Sequence, residues 1–275
     1  MMVGAKTKVC GLVGNPVAHT MSPAMQNAAF EELGLDFVYV AFRVADVEGA
    51  VRGMRALGIR GFGVTVPHKV AVMKYLDEID PVALKIGAVN TVVNEDGYLK
   101  GYNTDWEGLV RALVPHTAIQ NQRFVILGAG GGARAVAFAI RQRGGQVTIL
   151  NRTVEKAQSL AEEVGGTGGP LSQVGSISEA DVVINTTSVG MVPHVDQTIV
   201  DARHLRDRQV VMDIIYNPLQ TRFLREAEER GCVVIPGCEM LVLQGMRQFE
   251  LWTGVPAPVD LMRAVVEEHL ADQNP

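Results

Sequence analysis

Cysteine is scarce in this sequence. Cys10, Cys232 and Cys238 are an odd set with no paired metal spacing, so neither a disulfide framework nor a zinc module is expected, and the three thiols read as free in a reducing cytoplasm. Aromatic residues are also few, at 5%. Excess positive charge is missing. The 25 Lys and Arg against 30 Asp and Glu leave a net charge of −5, and no basic run has the length a polyanion-binding patch needs, so no nucleic-acid partner is expected. Long apolar runs are missing too. Each breaks well short of the ~20 residues of a membrane span. Lys6 and Lys8 precede an apolar stretch at Val9–Val13, but it is too short and too glycine-broken for a signal-peptide core. There is no internal repeat and no low-complexity segment. What these absences leave is a cytoplasmic globular protein with a small-molecule partner and no membrane partner.

What is present suits an α/β protein. The 275 residues allow two domains of ordinary size, 47% are hydrophobic, and 29 glycines supply tight turns. Val9–Gly14 reads as a short buried strand. Ser22 caps a helix with Pro23 at its first position, an apolar face at Met25, Ala28, Ala29 and Leu33, and Gly34 at its end. Phe37–Phe42 is a strand, and Asp46 caps a helix that Gly58 stops. Val64–Val66 is a strand blocked by Pro67. Ile86–Val93 reads as strand, with a hairpin turn at Asn94–Gly97. Strands alternating with helices imply a mostly parallel sheet. The polar stretch Pro115–Gln122 puts a domain junction in the window Asp105–Gln122.

The most informative stretch is Gly128-Ala129-Gly130-Gly131-Gly132-Ala133. It follows the apolar run Phe124–Leu127 and opens a helical run, Arg134–Arg143. In the register Gly-x-Gly-x-x-Ala, the first glycine permits a tight turn, the second lets backbone approach a pyrophosphate, and the small third residue lets helix pack on strand. The phosphates then meet free N–H groups at a helix N-terminus. The next strand, Gln146–Leu150, ends in Asn151-Arg152-Thr153, where an NAD site carries an acid for the ribose hydroxyls. Here Arg152 stands instead, with Lys156 one turn on, and an arginine fork grips a 2′-phosphate. This predicts NADP(H), although charges of this kind also decorate ordinary solvated helix starts. Further strands are expected at Val182–Ile184, Val210–Ile214 and Val233–Ile235, and helices at Val154–Val164 and Thr221–Arg230. Gly165–Gly169 reads as a flexible loop. Met240–Thr253 and Val259–Leu270 read as two helices that fold back on the first block.

A nicotinamide cofactor implies hydride transfer, and reducing a ketone also requires a proton donor. Lys69 stands just beyond the carboxyl end of a buried strand, where open α/β sheets bind ligands. Asp105 is a carboxylate able to pair with it, and equally a residue that caps the helix carrying Leu109 and Leu113. Thr20 and Ser22 offer hydroxyls to a small anion, the capping role for Ser22 being the alternative. His19 and His68 have no evident partner and read as structural.

Several motifs in one order make the chain resemble the shikimate dehydrogenase family. They are Gly14-Asn15-Pro16-Val17-Ala18-His19 with Ser22-Pro23; Val64-Thr65-Val66-Pro67-His68-Lys69; Gly87-Ala88-Val89-Asn90-Thr91; and Asn103-Thr104-Asp105. The glycine turn and Asn151-Arg152-Thr153 follow, then Asn185–Met191, Asp213–Pro218, Met240–Gln244 and Phe249–Trp252. The resemblance implies NADPH-dependent reduction of 3-dehydroshikimate to shikimate in the chorismate and aromatic amino acid pathway. It implies Lys69 and Asp105 as the catalytic pair. Thr20 and Ser22 would hold the substrate carboxylate, and Thr65, Asn90 and Gln244 the ring hydroxyls. Asn151, Arg152, Thr153 and Lys156 would hold the 2′-phosphate, while Thr187, Ser188 and Tyr216 lie around the nicotinamide. The implied division is a substrate-binding domain of residues 1–106 and 240–275 and a Rossmann NADP-binding domain of residues 107–239, in a monomer or homodimer.

Four positions depart from the family pattern. Thr20 stands for a usual serine, Gly63 for asparagine, Gln26 for histidine and Glu239 for glycine. The first two bear on substrate choice, including quinate. The rival readings are a quinate/shikimate dehydrogenase that uses NAD and, of another class, a non-catalytic NADP-binding protein. Retention of Lys69 and Asp105 argues against the second, and Arg152 against NAD preference.

Overall fold

Apolar strands alternating with helices build two six-stranded sheets, one in each of two units. The structure, a computed structural model, describes residues 3–273. One unit takes the chain up to Thr104 together with Gln244–Val266, and the other takes Asp105–Leu243 with the chain from Glu267. Among the described residues no helix is long and apolar enough to cross a membrane.

The first unit runs β1 (Lys8–Gly14), α1 (Ser22–Glu32), β2 (Phe37–Arg43), α2 (Val47–Ala56), β3 (Gly61–Val64), a 3-10 turn at Ala71–Tyr75, β4 (Glu78–Ile79), α3 (Pro81–Ile86), β5 (Thr91–Glu95) and β6 (Tyr98–Tyr102). The sheet order is β2-β1-β3-β5-β6-β4. β1 pairs parallel with β2 and with β3, and β4 with β6, whereas β5 runs antiparallel to β3 and to β6. The order reverses at β1, so the loops after β1 and β3 leave the sheet side by side at its carboxyl end, the usual place for a ligand. Asp46 caps α2 through the Gly49 N–H. Val51, Met54, Phe62 and Leu99 fill the core, each buried apolar side chain contributing about 1.5–3 kcal/mol.

The second unit runs α4 (Asp105–Leu113), β7 (Arg123–Leu127), α5 (Gly131–Gln142), β8 (Gln146–Asn151), α6 (Val154–Val164), β9 (Thr167–Pro170), α7 (Gly175–Glu179), β10 (Val182–Asn185), a 3-10 turn at Ala202–His204, β11 (Val210–Asp213), α8 (Arg222–Glu229) and β12 (Val233–Ile235). α9 (Gly237–Thr253) and α10 (Val259–Gln273) end the chain. Every strand pair is parallel, in the order β12-β11-β10-β7-β8-β9. This is the doubly wound dinucleotide topology, with its switch point between β7 and β10. The later part of α9 packs on the first unit's sheet, where Trp252 Nε1 donates to the Val92 carbonyl at 3.1 Å.

Four local expectations are corrected. Ser22 does not cap α1; Met21 holds the cap position, no side chain caps it, and Ser22 is already helical. The strand before Pro67 ends at Val64, although the Thr65 N–H still donates to Val13 and the Asn15 N–H to the Val66 carbonyl. Ile86 ends a helix instead of starting a strand. Pro81 at its first turn and the Asp80 side chain, accepting from the Val82 N–H at 2.9 Å, nucleate α3, and Gly87 closes it at φ 72°. Gly165–Gly169 is not a loop throughout. Gly165 caps α6 in the left-handed region, and Thr167–Pro170 pairs with β8. A Cβ at Gly168 would sit 2.6 Å from the Ala157 carbonyl oxygen, so glycine here serves close packing of an edge strand on a helix.

Candidate active site

In the first unit the polar side chains gather where β1 and β3 end. Thr20 and Ser22 follow β1. The Ser22 N–H donates to Thr20 Oγ1 at 3.2 Å, and the two hydroxyl oxygens are 3.2 Å apart. Ser22 is buried and Thr20 half-buried. Thr65 and Lys69, both half-buried, follow β3. The Lys69 carbonyl accepts the Val89 N–H at 2.8 Å, which sets Lys69 beside the segment that carries Asn90.

Asn90 is the hub of this region and 2% exposed. Its Oδ1 accepts the Thr104 N–H at 2.7 Å and the Thr91 hydroxyl at 2.8 Å. Its Nδ2 donates to Thr104 Oγ1 at 3.0 Å and lies 3.4 Å from Gln244 Oε1. Gln248 Nε2 donates to the Asn90 carbonyl and to Thr91 Oγ1. A buried amide held on this many sides has one orientation, so the groups it presents are fixed before a ligand arrives. Asn103 is tied to the Ala88 carbonyl at 3.0 Å. Asp105, 6% exposed, opens α4 in the second unit. His68 is a buried structural residue whose Nε2 lies 2.8 Å from the Val44 carbonyl, and His19 is exposed.

In the second unit the glycine turn sits at the switch point. Gly128 takes φ 112°, and a Cβ there would lie 2.7 Å from Thr186 Oγ1. Gly130 caps α5 with no side-chain cap, and a Cβ there would meet nothing within 4 Å. No side chain caps the N–H groups of Gly131, Gly132 and Ala133, and Ala129 packs on the core. That suits a pyrophosphate. At the end of β8, Asn151 Nδ2 donates to the Thr153 carbonyl at 2.9 Å. Arg152, Thr153 and Lys156 are exposed, and among the described residues Arg152 and Lys156 form no ion pair. An available guanidinium with no carboxylate at the strand end fits a 2′-phosphate.

Beside the glycine turn, buried Asn185 ends β10. Its Oδ1 accepts the Thr187 N–H at 3.0 Å and the Thr187 hydroxyl at 2.8 Å. Its Nδ2 donates to Asp213 Oδ1 at 3.1 Å. Asp213 also accepts the Ile215 N–H and the Thr221 hydroxyl. Burial pushes its carboxyl up to about 6, against the lowering effect of those hydrogen bonds. Ser188 is exposed and Tyr216 half-buried, and the Asn217 carbonyl accepts the Val192 N–H, joining the two loops. Asn185 and Asp213 in the second unit, and separately Thr91, Thr104 and Gln248 in the first, brace these groups, a bracing part that the residue pattern alone does not announce. For Asn185 and Asp213 the signal is a polar residue at the end of an otherwise apolar strand. Elsewhere, Cys238, Glu239 and Glu267 bring one sulfur and two carboxylate oxygens within 4.8 Å of one another. Burial raises the Cys238 thiol to about 12, which opposes thiolate ligation.

Comparison with known proteins covers both units. Residues 12–92 match the shikimate dehydrogenase substrate binding domain, residues 110–218 the shikimate / quinate 5-dehydrogenase model, and residues 237–267 the shikimate 5′-dehydrogenase C-terminal domain. The shikimate dehydrogenase (NADP(+)) of Moorella thermoacetica is 50% identical over 98% of this chain and 95% of its own. A shikimate dehydrogenase crystallised with NADP+ superposes at a TM-score of 0.94, with 45% identity and 98% of each chain covered. The Thermus thermophilus enzyme, in complex with NADP(H) and shikimate, gives 0.88 with 38% identity over 95% of this chain and 99% of that one. This chain belongs to the shikimate dehydrogenase family.

Proposed function

We propose that this chain is a cytoplasmic NADP-dependent oxidoreductase, a monomer or homodimer, that reversibly reduces 3-dehydroshikimate to shikimate on the route to chorismate and the aromatic amino acids. The observation that carries the reading is the buried cluster around Asn90, one backbone hydrogen bond from the segment bearing Lys69. A chain needs such a cluster to hold a polyhydroxylated ring at a fixed orientation beside a proton donor.

Residues 1–106 with 240–275 would bind the substrate and residues 107–239 the cofactor. When bound, the nicotinamide supplies the hydride that the ketone carbon gains. Lys69 supplies the proton that the carbonyl oxygen gains, and in the reverse direction takes it from the hydroxyl. Asp105 pairs with Lys69 and orients the reacting hydroxyl. Thr20 and Ser22 donate to the substrate carboxylate, while Thr65, Asn90 and Gln244 bind ring hydroxyls. The glycine turn Gly128–Ala133 at the start of α5 holds the pyrophosphate; Arg152 grips the 2′-phosphate with Asn151, Thr153 and Lys156. Thr187, Ser188 and Tyr216 shape the space for the nicotinamide.

The test mixes purified protein with 3-dehydroshikimate and NADPH, with NADH in a parallel cuvette, and follows loss of reduced-cofactor absorbance. Oxidation of NADPH well ahead of NADH supports the reading. Faster NADH oxidation moves it to an NAD-using, quinate-active enzyme, and oxidation of neither leaves an NADP-binding protein without this activity. Lys69→Ala should lower turnover by about 10²–10⁴, the range for a general acid, and leave NADPH binding intact.

A further inference from the structure

In the first unit α9 brings one polar side chain per turn to the segment that opens β5. Gln244 Oε1 lies 3.4 Å from Asn90 Nδ2. Gln248 Nε2 donates to the Asn90 carbonyl at 3.1 Å and to Thr91 Oγ1 at 3.0 Å. Trp252 Nε1 donates to the Val92 carbonyl. Residues four apart share one face of a helix, so three turns of α9 meet three successive residues, Asn90, Thr91 and Val92. The middle side chain, Gln248, is buried and makes no proposed contact with substrate. The Asn90 carbonyl does not depend on it, because it already accepts the Val64 N–H at 2.7 Å. The bond to Thr91 is the one that reaches the site.

A carbonyl oxygen only accepts, so the Gln248 group that faces Asn90 is the NH₂, and it meets Thr91 Oγ1 as a donor. The Thr91 hydroxyl has one proton of its own. With Gln248 on an acceptor site of Oγ1, that proton goes to Asn90 Oδ1 at 2.8 Å, the nearer choice against Thr104 Oγ1 at 3.4 Å. Oδ1 accepts the Thr104 N–H as well, which leaves Asn90 Nδ2 facing Thr104 Oγ1 and Gln244 Oε1. We propose that Gln248 is a positioning residue for the substrate site: as a donor to Thr91 it aims the Thr91 proton at Asn90 Oδ1 and so holds the Asn90 and Gln244 amides in one orientation. Only a donor serves. An acceptor in its place draws the Thr91 proton to itself, takes a donor from Oδ1 and sets two acceptor oxygens face to face at the Asn90 carbonyl. Successive bonds in such a relay polarise one another, so the donor on α9 is felt at the far end, back on α9 at Gln244. The inference rests on the reading above that Asn90 and Gln244 bind ring hydroxyls.

Steady-state oxidation of shikimate tests it, in wild type, Gln248→Leu, Gln248→Glu, Thr91→Val, Thr91→Ser and the double variant Gln248→Leu with Thr91→Val. Gln248→Leu is expected to lower kcat/KM for shikimate about tenfold, the equivalent of one hydrogen bond, with KM for NADP+ within about twofold of wild type. Gln248→Glu, of nearly the same size, should lose at least as much, because a donor becomes an acceptor. Thr91→Val should match Gln248→Leu, and Thr91→Ser, which keeps the hydroxyl, should recover most of the loss. In the Thr91→Val background Gln248→Leu should alter kcat/KM by less than about twofold, because residues in one network are not additive. An unchanged kcat/KM in Gln248→Leu overturns the proposal. So does an equal fall with and without the Thr91 hydroxyl, which is what a merely structural role gives. Should Gln248→Leu fail to fold, the Thr91 pair decides, and a Thr91→Ser as impaired as Thr91→Val overturns the relay. A wild type that oxidises no shikimate overturns the functional reading, and the proposal with it.

Discussion

Replacing Asp213 by asparagine should make the stability of this protein less dependent on pH, with a sign opposite to that of a salt-bridged carboxylate. Asp213 ends β11 with its side chain wholly buried, and desolvation raises it from 3.8 to about 6. Between those values the folded chain holds a proton that the unfolded chain has lost. Unfolding there releases protons, so stability falls as pH rises. The contribution is fully present below 3.8 and lost as the pH rises through about 6. A shift of roughly two units corresponds to about 3 kcal/mol, around half of it between pH 7.5 and pH 5. Asparagine keeps the shape. Its oxygen can accept from the Ile215 N–H and the Asn185 amide, as Oδ1 does at 3.0 and 3.1 Å. Its NH₂ meets the Thr221 hydroxyl, which reverses from donor to acceptor. Urea unfolding of both proteins at fixed pH between about 4 and 8 measures the difference, in which the other carboxylates cancel. Asp213→Asn should gain on wild type as pH rises. A difference that is flat with pH, or that moves the other way, refutes the account of Asp213 as a desolvated carboxylate.

Three other outcomes follow from the same geometry. Arg152→Ala should raise the KM for NADPH about 10–100-fold, the loss of ~1.5–3 kcal/mol from a charge-assisted hydrogen bond, and leave the KM for NADH unchanged; equal losses in initial-rate assays would contradict the 2′-phosphate role. Gly128→Ala combines φ 112° with a Cβ 2.9 Å from Thr187 Cγ2, a cost of about 1–3 kcal/mol for the backbone alone. Thermal unfolding and NADPH titration should both show a loss, and neither changing would count against the turn as described. Cys10 and Cys238 are buried, with thiols raised to about 12, so iodoacetamide at neutral pH should modify both only after unfolding, as mass spectrometry would report; labelling of the folded protein contradicts their burial.

What was legible in the residues, and what was not, divides on physical lines. The strand, glycine turn and helix at Phe124–Arg143 are legible because each carries its own local chemistry: an apolar run, a position that needs positive φ, and a helix start left without a capping side chain. The same holds for Asp46 before α2 and for the Asp96-Gly97 turn between β5 and β6, where Asp96 has φ 51° and Gly97 φ 93°. The errors arise where one residue type serves two ends. Gly166 and Gly168 read as flexibility, yet they allow β9 to lie against α6 and β8. Ser22 before Pro23 reads as a cap, but tertiary packing draws the serine into the helix and turns its hydroxyl towards Thr20. The site's polar framework was legible only as residue types. That Thr104 and Gln244 meet on Asn90 depends on a return of the chain across 154 positions, and no local pattern records such a return.

Asn90 and Asn185 show why that framework matters to the chemistry. Each is a buried asparagine at the edge of a strand in its own unit. Each uses Oδ1 to accept a backbone N–H and a threonine hydroxyl, from Thr104 and Thr91 in one case and from Thr187 twice in the other. An aspartate would place a desolvated charge there, and a leucine would leave a buried N–H unpaired, at about 1–3 kcal/mol. Asparagine alone satisfies donors on one side while its NH₂ reaches outward, to Thr104 and Gln244 from Asn90 and to Asp213 from Asn185. The loops that carry the proposed substrate and nicotinamide contacts are thus ordered by hydrogen bonds already made in the folded chain. Binding energy then need not be spent on ordering them and remains available for the transition state.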